Sequence, residues 1–369
     1  MKKVSKWLCA ALVVALCITM GGCVSKNSYC VKTDKHSISA GMYIYQLTQQ
    51  KSQYLSQNSM TEGAETWDEE YSDEMTIGEY IQTMTVNSLV SSLVWRTQFD
   101  RLNLKFSEEE QKNIEESIES MVKASGGEEA VKKAVADYGI GYDEFLESVY
   151  YDTQKILKVV DYYFGEKGVE PVSEEEIFEY FKDNYTRCKH ILISTQDAEG
   201  STLTDDDMKA ARSEAQKVFE LAQKADDTAF EKLIKQYNDD EGVASFPDGY
   251  VFTTGEMVDS FEKAAFDMEV GETRLIQSEY GFHIIRKLTL DDDKVFTEEI
   301  RKNMLMSLKQ EEINQMFEQW EDETKVKVNR DVLKKYTCKS IAVGEDVAAQ
   351  EQAQMEALAG QLGLEETEE

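Results

Sequence analysis

The sequence predicts an α+β protein in which a compact unit, a small sheet with surrounding helices, is inserted into an otherwise helical domain. Three observations predict it: amphipathic helical stretches flank the middle of the chain, residues 186–289 mix strand-like and helical segments, and Pro occurs only twice in 369 residues. The stretch after residue 297 has an apolar face that needs a partner, and the N-terminal helical stretch is the natural one. We therefore expect both stretches to belong to one domain that the unit interrupts.

The first 22 residues are predicted to be an export signal. Three lysines precede the apolar stretch Trp7–Met20, which is shorter than the ~18 residues of a membrane-spanning helix. The stretch ends in Gly21-Gly22-Cys23, which resembles a bacterial lipobox, although Met20 stands where Leu is usual. This resemblance implies cleavage before Cys23 and a lipid on Cys23 that anchors the chain to the outer face of the cell membrane. An ordinary secretory signal is the alternative.

The rest of the chain divides by composition and pattern. A helical domain is expected first, the compact unit second, then a helix and strand that complete the helical domain, and last an acidic tail expected to be disordered. The boundaries are 23–185 for the N-terminal helical domain, 186–289 for the compact unit, 290–342 for the completing segment and 343–369 for the tail.

Within the helical domain, capping patterns and helical spacing locate the elements. Ser107 and Ser173 each stand three residues before a Glu and fit the capping box of a helix start. The remaining predictions are a strand at 29–33, a helix from Thr76 that buries Ile77, Ile81, Met84, Leu89, Leu93 and Phe99, a helix at 142–164 that buries Phe145, Val149, Ile156 and Val160, a helix at 297–320 and a strand at 325–329.

The compact unit reads as strand, helix, helix, strand, helix, strand, strand. The expected segments are a strand at 188–193, helices from Thr204 to about 224 and at 228–237, a strand at 250–252, a helix at 257–266 and strands at 273–277 and 282–288. His190 lies in the first strand and His283 in the last, which can be neighbours in a sheet and would then share one face. Two strand histidines alone are more often satisfied core groups than a functional pair.

The motifs around these histidines resemble the parvulin family of peptidyl-prolyl isomerases, in family order over about 100 residues. They are Lys189-His190-Ile191-Leu192-Ile193, Tyr237-Asn238-Asp239-Asp240, Gly255-Glu256-Met257, Ala264-Ala265-Phe266, Gly271-Glu272 and Tyr280-Gly281-Phe282-His283-Ile284-Ile285. Together with the lipobox and the helical flanks, the chain most resembles the PrsA-type foldases of Gram-positive bacteria and, more distantly, the SurA chaperones. The resemblance implies a parvulin domain inserted in an all-α chaperone domain.

The resemblance also implies roles for individual residues. His190 and His283 match the paired histidines, Ser278 matches a hydroxyl linked to that pair, and Asp240 stands beside the reacting amide. An apolar pocket for the proline ring is implied at Met257, Phe261 and Phe252. Each has a plainer interpretation: Met257 and Phe261, four apart on a helix, are a common core pair, Asp240 is a turn residue, and Ser278 is a solvated hydroxyl.

The family's Gly-Asp-Leu-Gly is here Pro247-Asp248-Gly249-Tyr250, a departure in a loop that shapes one side of the groove and so bears on substrate preference and turnover. Two functions therefore stay open: an isomerase and foldase for newly exported chains that contain X-Pro bonds, or a chaperone that holds such chains with an inactive or binding-only parvulin unit. A surface lipoprotein with an unrelated α/β domain is a third interpretation.

Charge and cysteine content limit the partners. A net charge of −32 repels phosphate backbones, so nucleic acid is not expected as a partner. No metal-ligand spacing occurs and no cofactor is expected, while the sequence leaves open whether the chain forms a homodimer.

Beyond Cys23, the cysteines are Cys30, Cys188 and Cys338. The odd number argues against a disulfide framework, but leaves open one bridge between Cys30 and Cys338.

Overall fold

The computed structural model describes residues 24–72, 74–197 and 201–341. The predicted signal, the predicted lipid attachment residue Cys23 and the predicted tail 343–369 lie outside the described residues. In the part of the chain that the structure describes, no helix is both long and apolar enough to cross a membrane.

The N-terminal flank is mostly helical. Its elements are β1 (Tyr29–Lys32), β2 (Ser37–Ser39), α1 (Ala40–Gln57), β3 (Glu70–Ser72), β4 (Met75–Thr76), α2 (Ile77–Arg101), α3 (Glu108–Ala124), α4 (Glu128–Tyr138), α5 (Tyr142–Leu146), α6 (Asp152–Phe164) and α7 (Glu174–Asn184). The predicted capping box at Ser107 is confirmed in both halves. At Ser173 only the side chain of the cap residue accepts a backbone hydrogen bond, from the Glu176 amide.

Residues 185–288 form the compact unit. Its elements are β5 (Tyr185–Ser194), α8 (Asp205–Ala222), α9 (Asp227–Tyr237), β6 (Tyr250–Thr253), α10 (Asp259–Asp267), β7 (Thr273–Gln277) and β8 (Gly281–Leu288). They confirm the predicted element order and the α+β class. The four strands form an antiparallel sheet in the order β6-β5-β8-β7, so the first and last strands are neighbours.

Gly281 allows the last strand to approach the first closely. Its φ of 153° is one that side chains rarely adopt, and a Cβ there would lie 2.2 Å from the Ile193 carbonyl oxygen. Glycine at this point therefore lets β8 begin directly against β5.

The C-terminal flank returns to the N-terminal one. Its elements are α11 (Glu298–Leu308), α12 (Gln310–Thr324), β9 (Lys327–Val328) and α13 (Arg330–Lys335). Strand β9 pairs with β1 in an antiparallel ladder, and the buried Lys51 ammonium donates to the Cys338 carbonyl at 2.7 Å. Trp95 of α2 packs edge-on against Trp320 of α12, with ring centroids 5.4 Å apart. The segments before and after the compact unit thus share one sheet and pack their helices against each other.

Two predicted helices are wrong in detail. The stretch 142–164 contains a π-helical turn at Glu147–Tyr151, and this turn leaves Val149 41% exposed instead of buried. The stretch 297–320 is two helices, because the chain leaves the helical conformation at Lys309, the residue between α11 and α12. In a third helix, α2, one position is also predicted wrongly: Met84, expected on the buried face, is 38% exposed.

Three buried thiols account for the cysteines among the described residues. Cys30, Cys188 and Cys338 are all free, so no bridge joins Cys30 to Cys338. Burial raises the pKa of the Cys30 and Cys188 thiols to about 12 and that of Cys338 to about 11. Because the thiolate is the reactive form, none of the three is suited to nucleophilic chemistry.

Candidate active site

The two sheet histidines meet on one face, as expected from their strands. In the ladder between β5 and β8, Leu192 lies opposite His283 and His190 lies opposite Ile285, so the two imidazoles are diagonal neighbours. Their Nδ1 atoms are 3.3 Å apart, and the residues are 7% and 4% exposed. A direct hydrogen bond between two buried rings therefore forms the centre of the site.

Asp240 continues the contact on one side of the histidine pair. It follows α9 and caps a short 3-10 turn, with its Oδ1 accepting from the Gly242 amide at 2.9 Å. Its Oδ2 lies 2.7 Å from His190 Nε2 and accepts from the Tyr250 hydroxyl at 2.9 Å. The hydrogen bond from His190, helped by that from Tyr250, lowers the pKa of Asp240 to about 2, although partial burial opposes the shift. Asp240 is therefore ionised across the physiological range.

Ser278 continues the contact on the other side. It lies in the turn between β7 and β8, and its Oγ is 2.7 Å from His283 Nε2. The same oxygen accepts from the Tyr280 amide at 3.1 Å, which fixes the hydroxyl in the turn. Burial, followed by the neighbouring His190, lowers the pKa of His283 to about 4. His283 is therefore neutral at neutral pH.

The four side chains form one continuous chain of hydrogen bonds with a consistent set of protons. An ionised carboxylate only accepts, so His190 donates from Nε2 to Asp240 and, when neutral, offers a bare Nδ1. His283 then donates a hydrogen bond from its Nδ1 to the His190 Nδ1. Its Nε2 accepts a hydrogen bond from the Ser278 hydroxyl. Every ring nitrogen has a partner in this arrangement, which is the tautomer assignment that the contacts favour.

An aromatic wall lies against the histidines. The Phe261 ring of α10 is edge-on to both imidazoles, with centroid distances of 5.1 Å to His190 and 5.3 Å to His283. Phe252 of β6 lies 5.9 Å from Phe261, and both phenylalanines are buried. Met257 packs against the same apolar cluster and is partly buried.

Met257 is not on the helix that carries Phe261. The predicted helix at 257–266 begins only at Asp259, with Val258 as its cap residue. The interpretation of Met257 and Phe261 as a helical core pair is therefore wrong, because the two residues approach the cluster from different backbone segments. The structure brings together all seven residues to which the resemblance gave site roles: His190, Asp240, Ser278, His283, Met257, Phe261 and Phe252.

Tyr250 is the site residue that the sequence did not single out. It was noted only as the end of the departing loop and the start of a strand, yet its hydroxyl binds Asp240 and its ring lies 5.4 Å from that of His190. The 48% exposed Phe246 packs on the Tyr250 ring at 4.6 Å. No signal in the sequence points to this contact, because it depends on the path of the loop between Asp240 and Tyr250.

Asn238 and Asp239 hold that loop against the first strand. Asn238 accepts from the Leu192 amide at 2.8 Å and donates to the Asp240 carbonyl at 2.6 Å. Asp239 accepts from the Ser194 amide at 2.8 Å. These bonds explain why Asp240 stands beside His190: they tie the loop to β5 at Leu192 and Ser194, just after the histidine.

In residues 24–72, 74–197 and 201–341, no group of three or more His, Cys, Asp or Glu side chains is arranged to hold a metal ion. The arrangement offers an ionised Asp240 carboxylate, a pair of hydrogen-bonded imidazoles and an apolar wall. Such a site can bind and orient an amide and apply an electrostatic field to it.

Residues 178–289 match the family model of the PPIC-type PPIASE domain. The match covers all elements from β5 to β8 and most of α7. It confirms the resemblance to the parvulin-type isomerases.

Curated relatives include the foldase protein PrsA of Staphylococcus epidermidis, 30% identical over 185 residues, and the foldase protein PrsA of Geobacillus kaustophilus, 31% identical over 194 residues. These alignments cover 47% and 48% of this chain, and 50% and 60% of the relatives. The chain thus spans about half the length of the curated relatives it matches, or somewhat more.

Similar solved structures include PrsA from Bacillus subtilis, with a TM-score of 0.28 and 23% identity over 69% of this chain and 89% of that one. PrsA from Streptococcus pneumoniae has a TM-score of 0.33 and 14% identity over 83% of this chain and 97% of that one.

Proposed function

We propose that this chain, which carries a PPIC-type isomerase domain at residues 178–289, is an exported, lipid-anchored foldase that catalyses cis/trans isomerisation of X-Pro bonds in newly exported polypeptides. The observation that carries the proposal is the chain of hydrogen bonds from Ser278 through His283 and His190 to an ionised Asp240, beside the apolar wall of Phe252 and Phe261. The relatives named as foldases support it, as does the lipobox-like sequence that ends at Cys23.

The reaction needs no bond to break. Resonance gives the peptide C–N bond a rotational barrier of ~18–20 kcal/mol, so an enzyme must bind the twisted amide better than the planar forms. In this proposal the proline ring packs against the wall of Phe252, Phe261 and Met257. An apolar wall suits proline, which has an apolar ring and no backbone N–H.

Asp240 acts on the amide electrostatically. The oxygen of a planar amide carries more negative charge than that of a twisted one, because resonance is lost on twisting. An ionised carboxylate near that oxygen therefore disfavours the planar form more than the twisted one. The histidines keep Asp240 charged and oriented, with His283 and Ser278 as positioning residues.

A refolding experiment tests this function. The full mature chain is added to an unfolded client whose slow refolding phase is limited by X-Pro isomerisation, alongside an Asp240→Ala variant whose circular dichroism matches the wild type. We expect the wild type to accelerate the slow phase and the variant to do so at least about tenfold less well, since a charge-assisted contact is worth about 1.5–3 kcal/mol. No acceleration by the wild type overturns the isomerase.

The second candidate is a holding chaperone with a binding-only parvulin unit. The observation that favours it is the set of large exposed apolar side chains on the helical part, namely Tyr71, Met84, Val149, Tyr162 and Val169. Suppression of client aggregation that is equal in the wild type and in the Asp240→Ala variant, with no acceleration of refolding by either, would favour this candidate over the first.

A further inference from the structure

The segment directly after the lipidation residue is fixed to the helical part of the protein. Val24 packs against the core that contains α1 and α2, and its carbonyl accepts from the Lys335 ammonium of α13 at 2.6 Å. Two residues on, the Lys26 ammonium donates to the Asp137 carbonyl at 2.6 Å, and the Lys26 carbonyl accepts from the Gly41 amide at 2.8 Å. The first described residues are therefore held by the body, not strung out as a tether.

The contact at Lys26 is close enough to exclude a side chain. Gly139, at the end of α4, has a φ of 81°, and a Cβ there would lie 2.5 Å from the Lys26 Cβ. Ser28 then accepts from the Ala40 amide at 2.7 Å, and β1 begins at the next residue. Residues 24, 26 and 28 thus each bond to the helical part through a backbone carbonyl, and residues 25 and 27 lie between them.

We propose that this arrangement, given the lipid on Cys23 of the proposed function, holds the helical body directly against the headgroup layer of the membrane. Cys23 immediately precedes Val24, and consecutive Cα atoms are about 3.8 Å apart. A lipid on Cys23 brings that residue to the membrane surface. The anchor face, which consists of Val24, Lys26, Asp137 and Lys335, then lies in or beside the headgroups.

The covalent tether, and not charge, maintains this apposition. The anchor face carries the cations Lys26 and Lys335, whose ammonium groups both donate to backbone carbonyls, while the whole chain has a net charge of −32. The few lysines of the anchor face attract anionic lipids only over short distances. Farther from the surface, anionic lipids repel a protein with this net negative charge. Lengthening the tether should therefore release the body from the surface.

The test uses the full lipidated chain in vesicles of phosphatidylcholine and phosphatidylglycerol. A fluorophore is attached to a Lys334→Cys variant, whose introduced thiol is exposed while Cys30, Cys188 and Cys338 are buried. Quenching by a nitroxide on the lipid headgroups acts only near contact. The matched variant carries a Gly/Ser insertion of about ten residues between Cys23 and Val24, which adds roughly 17 Å of flexible reach.

We expect strong quenching with the native tether and loss of most of it with the insertion, while isomerisation of a soluble X-Pro peptide is the same in both. Weak quenching with the native tether overturns the apposition, and strong quenching with both tethers overturns the role of the tether. Mass spectrometry of the N-terminal peptide separates the two levels: an unmodified Cys23 overturns the lipid anchor and the apposition with it, whereas a lipidated but unquenched protein overturns the apposition alone.

Discussion

The Nδ1 atoms of His190 and His283 lie 3.3 Å apart in the sheet of the isomerase-type domain, and the tautomers that the surrounding contacts favour place one proton between them. Two neutral imidazoles in this arrangement satisfy each other, while a second proton between the same atoms would place two buried donors face to face. Protonation of His283 would therefore disrupt the contact between the two rings.

We expect acid to destabilise the protein through His283. Its pKa falls from 6.5 to about 4 on folding, so between these values the unfolded chain binds more protons and stability is lost as the pH falls. The full shift corresponds to roughly 3 kcal/mol. Urea unfolding at a series of pH values measures the loss.

A histidine comparison isolates this contribution from the many carboxylates of the chain. His283→Gln should flatten the part of the pH dependence between about 6.5 and 4, whereas His36→Gln, at the 23% exposed histidine that pairs with Asp100, should leave it in place. An identical pH dependence in wild type and His283→Gln would show that His283 does not have the lowered pKa.

Tyr250→Phe should weaken catalysis without removing it. The variant keeps the ring against His190 and Phe246 but removes one of the hydrogen bonds that keep Asp240 ionised, so the pKa of Asp240 should rise. Loss of this partly exposed bond to a charged group is expected to cost about 1 kcal/mol, or a roughly fivefold loss in kcat/KM. The pH–rate profile of X-Pro isomerisation measures both effects.

The matched control is Tyr280→Phe, at a tyrosine whose side chain is 47% exposed near the same site. It should leave the acid limb of the pH–rate profile unchanged. A Tyr250→Phe profile that also superimposes on the wild type would exclude Tyr250 as a positioning residue for Asp240.

Phe261→Leu should raise KM for X-Pro peptides more than it lowers kcat. The substitution keeps an apolar side chain at the buried position but removes the ring that faces both imidazoles, so proline binding should weaken while the hydrogen-bond chain stays intact. Phe266→Leu, on the same helix and packed against Phe252, serves as the control for a general packing defect. Equal changes in KM for the two variants would argue against a proline pocket at Phe261.

Arg96 and Asp152 form a buried ion pair that should matter for stability and not for catalysis. The Arg96 guanidinium donates to both carboxylate oxygens of Asp152, at 2.7 and 2.9 Å, and joins α2 to α6 in the helical part. Arg96→Met leaves a buried carboxylate without its partner, which is expected to cost about 3–5 kcal/mol. Thermal or urea unfolding measures the loss.

An exposed pair supplies the comparison for that loss. Arg101 and Glu323 are 40% and 48% exposed, and Arg101→Met should cost under about 1 kcal/mol. A similar small loss at Arg96 would mean that solvent reaches the Arg96–Asp152 pair.

The sequence predicted the parts of the site that depend on strand order and register. Once the first and last strands of the unit are neighbours, alternation along each strand places His190 and His283 on one face, and the family motifs indicated the remaining partners. The order of elements and the period of a strand account for the histidine pair, while the other site residues came from the resemblance.

The parts that were missed depend on local backbone paths. Tyr250 reaches Asp240 because the intervening loop turns back on itself, and neither residue's type indicates that path. The exposed Val149 follows from a π-helical turn, in which one extra residue per turn rotates the apolar positions away from their expected face. The break between α11 and α12 at Lys309 likewise has no neighbouring Pro or Gly that would predict it.

The most direct test of the central claim is the rate of cis/trans exchange of a short X-Pro peptide, measured by NMR with wild type, Asp240→Asn and Asp248→Asn. The two substitutions remove one carboxylate each from the same loop, but only Asp240 contacts His190. If the Asp240 carboxylate acts on the amide, exchange is fast with wild type and Asp248→Asn and at least about tenfold slower with Asp240→Asn. Exchange at the uncatalysed rate with the wild type, or equal catalysis by all three proteins, would contradict it.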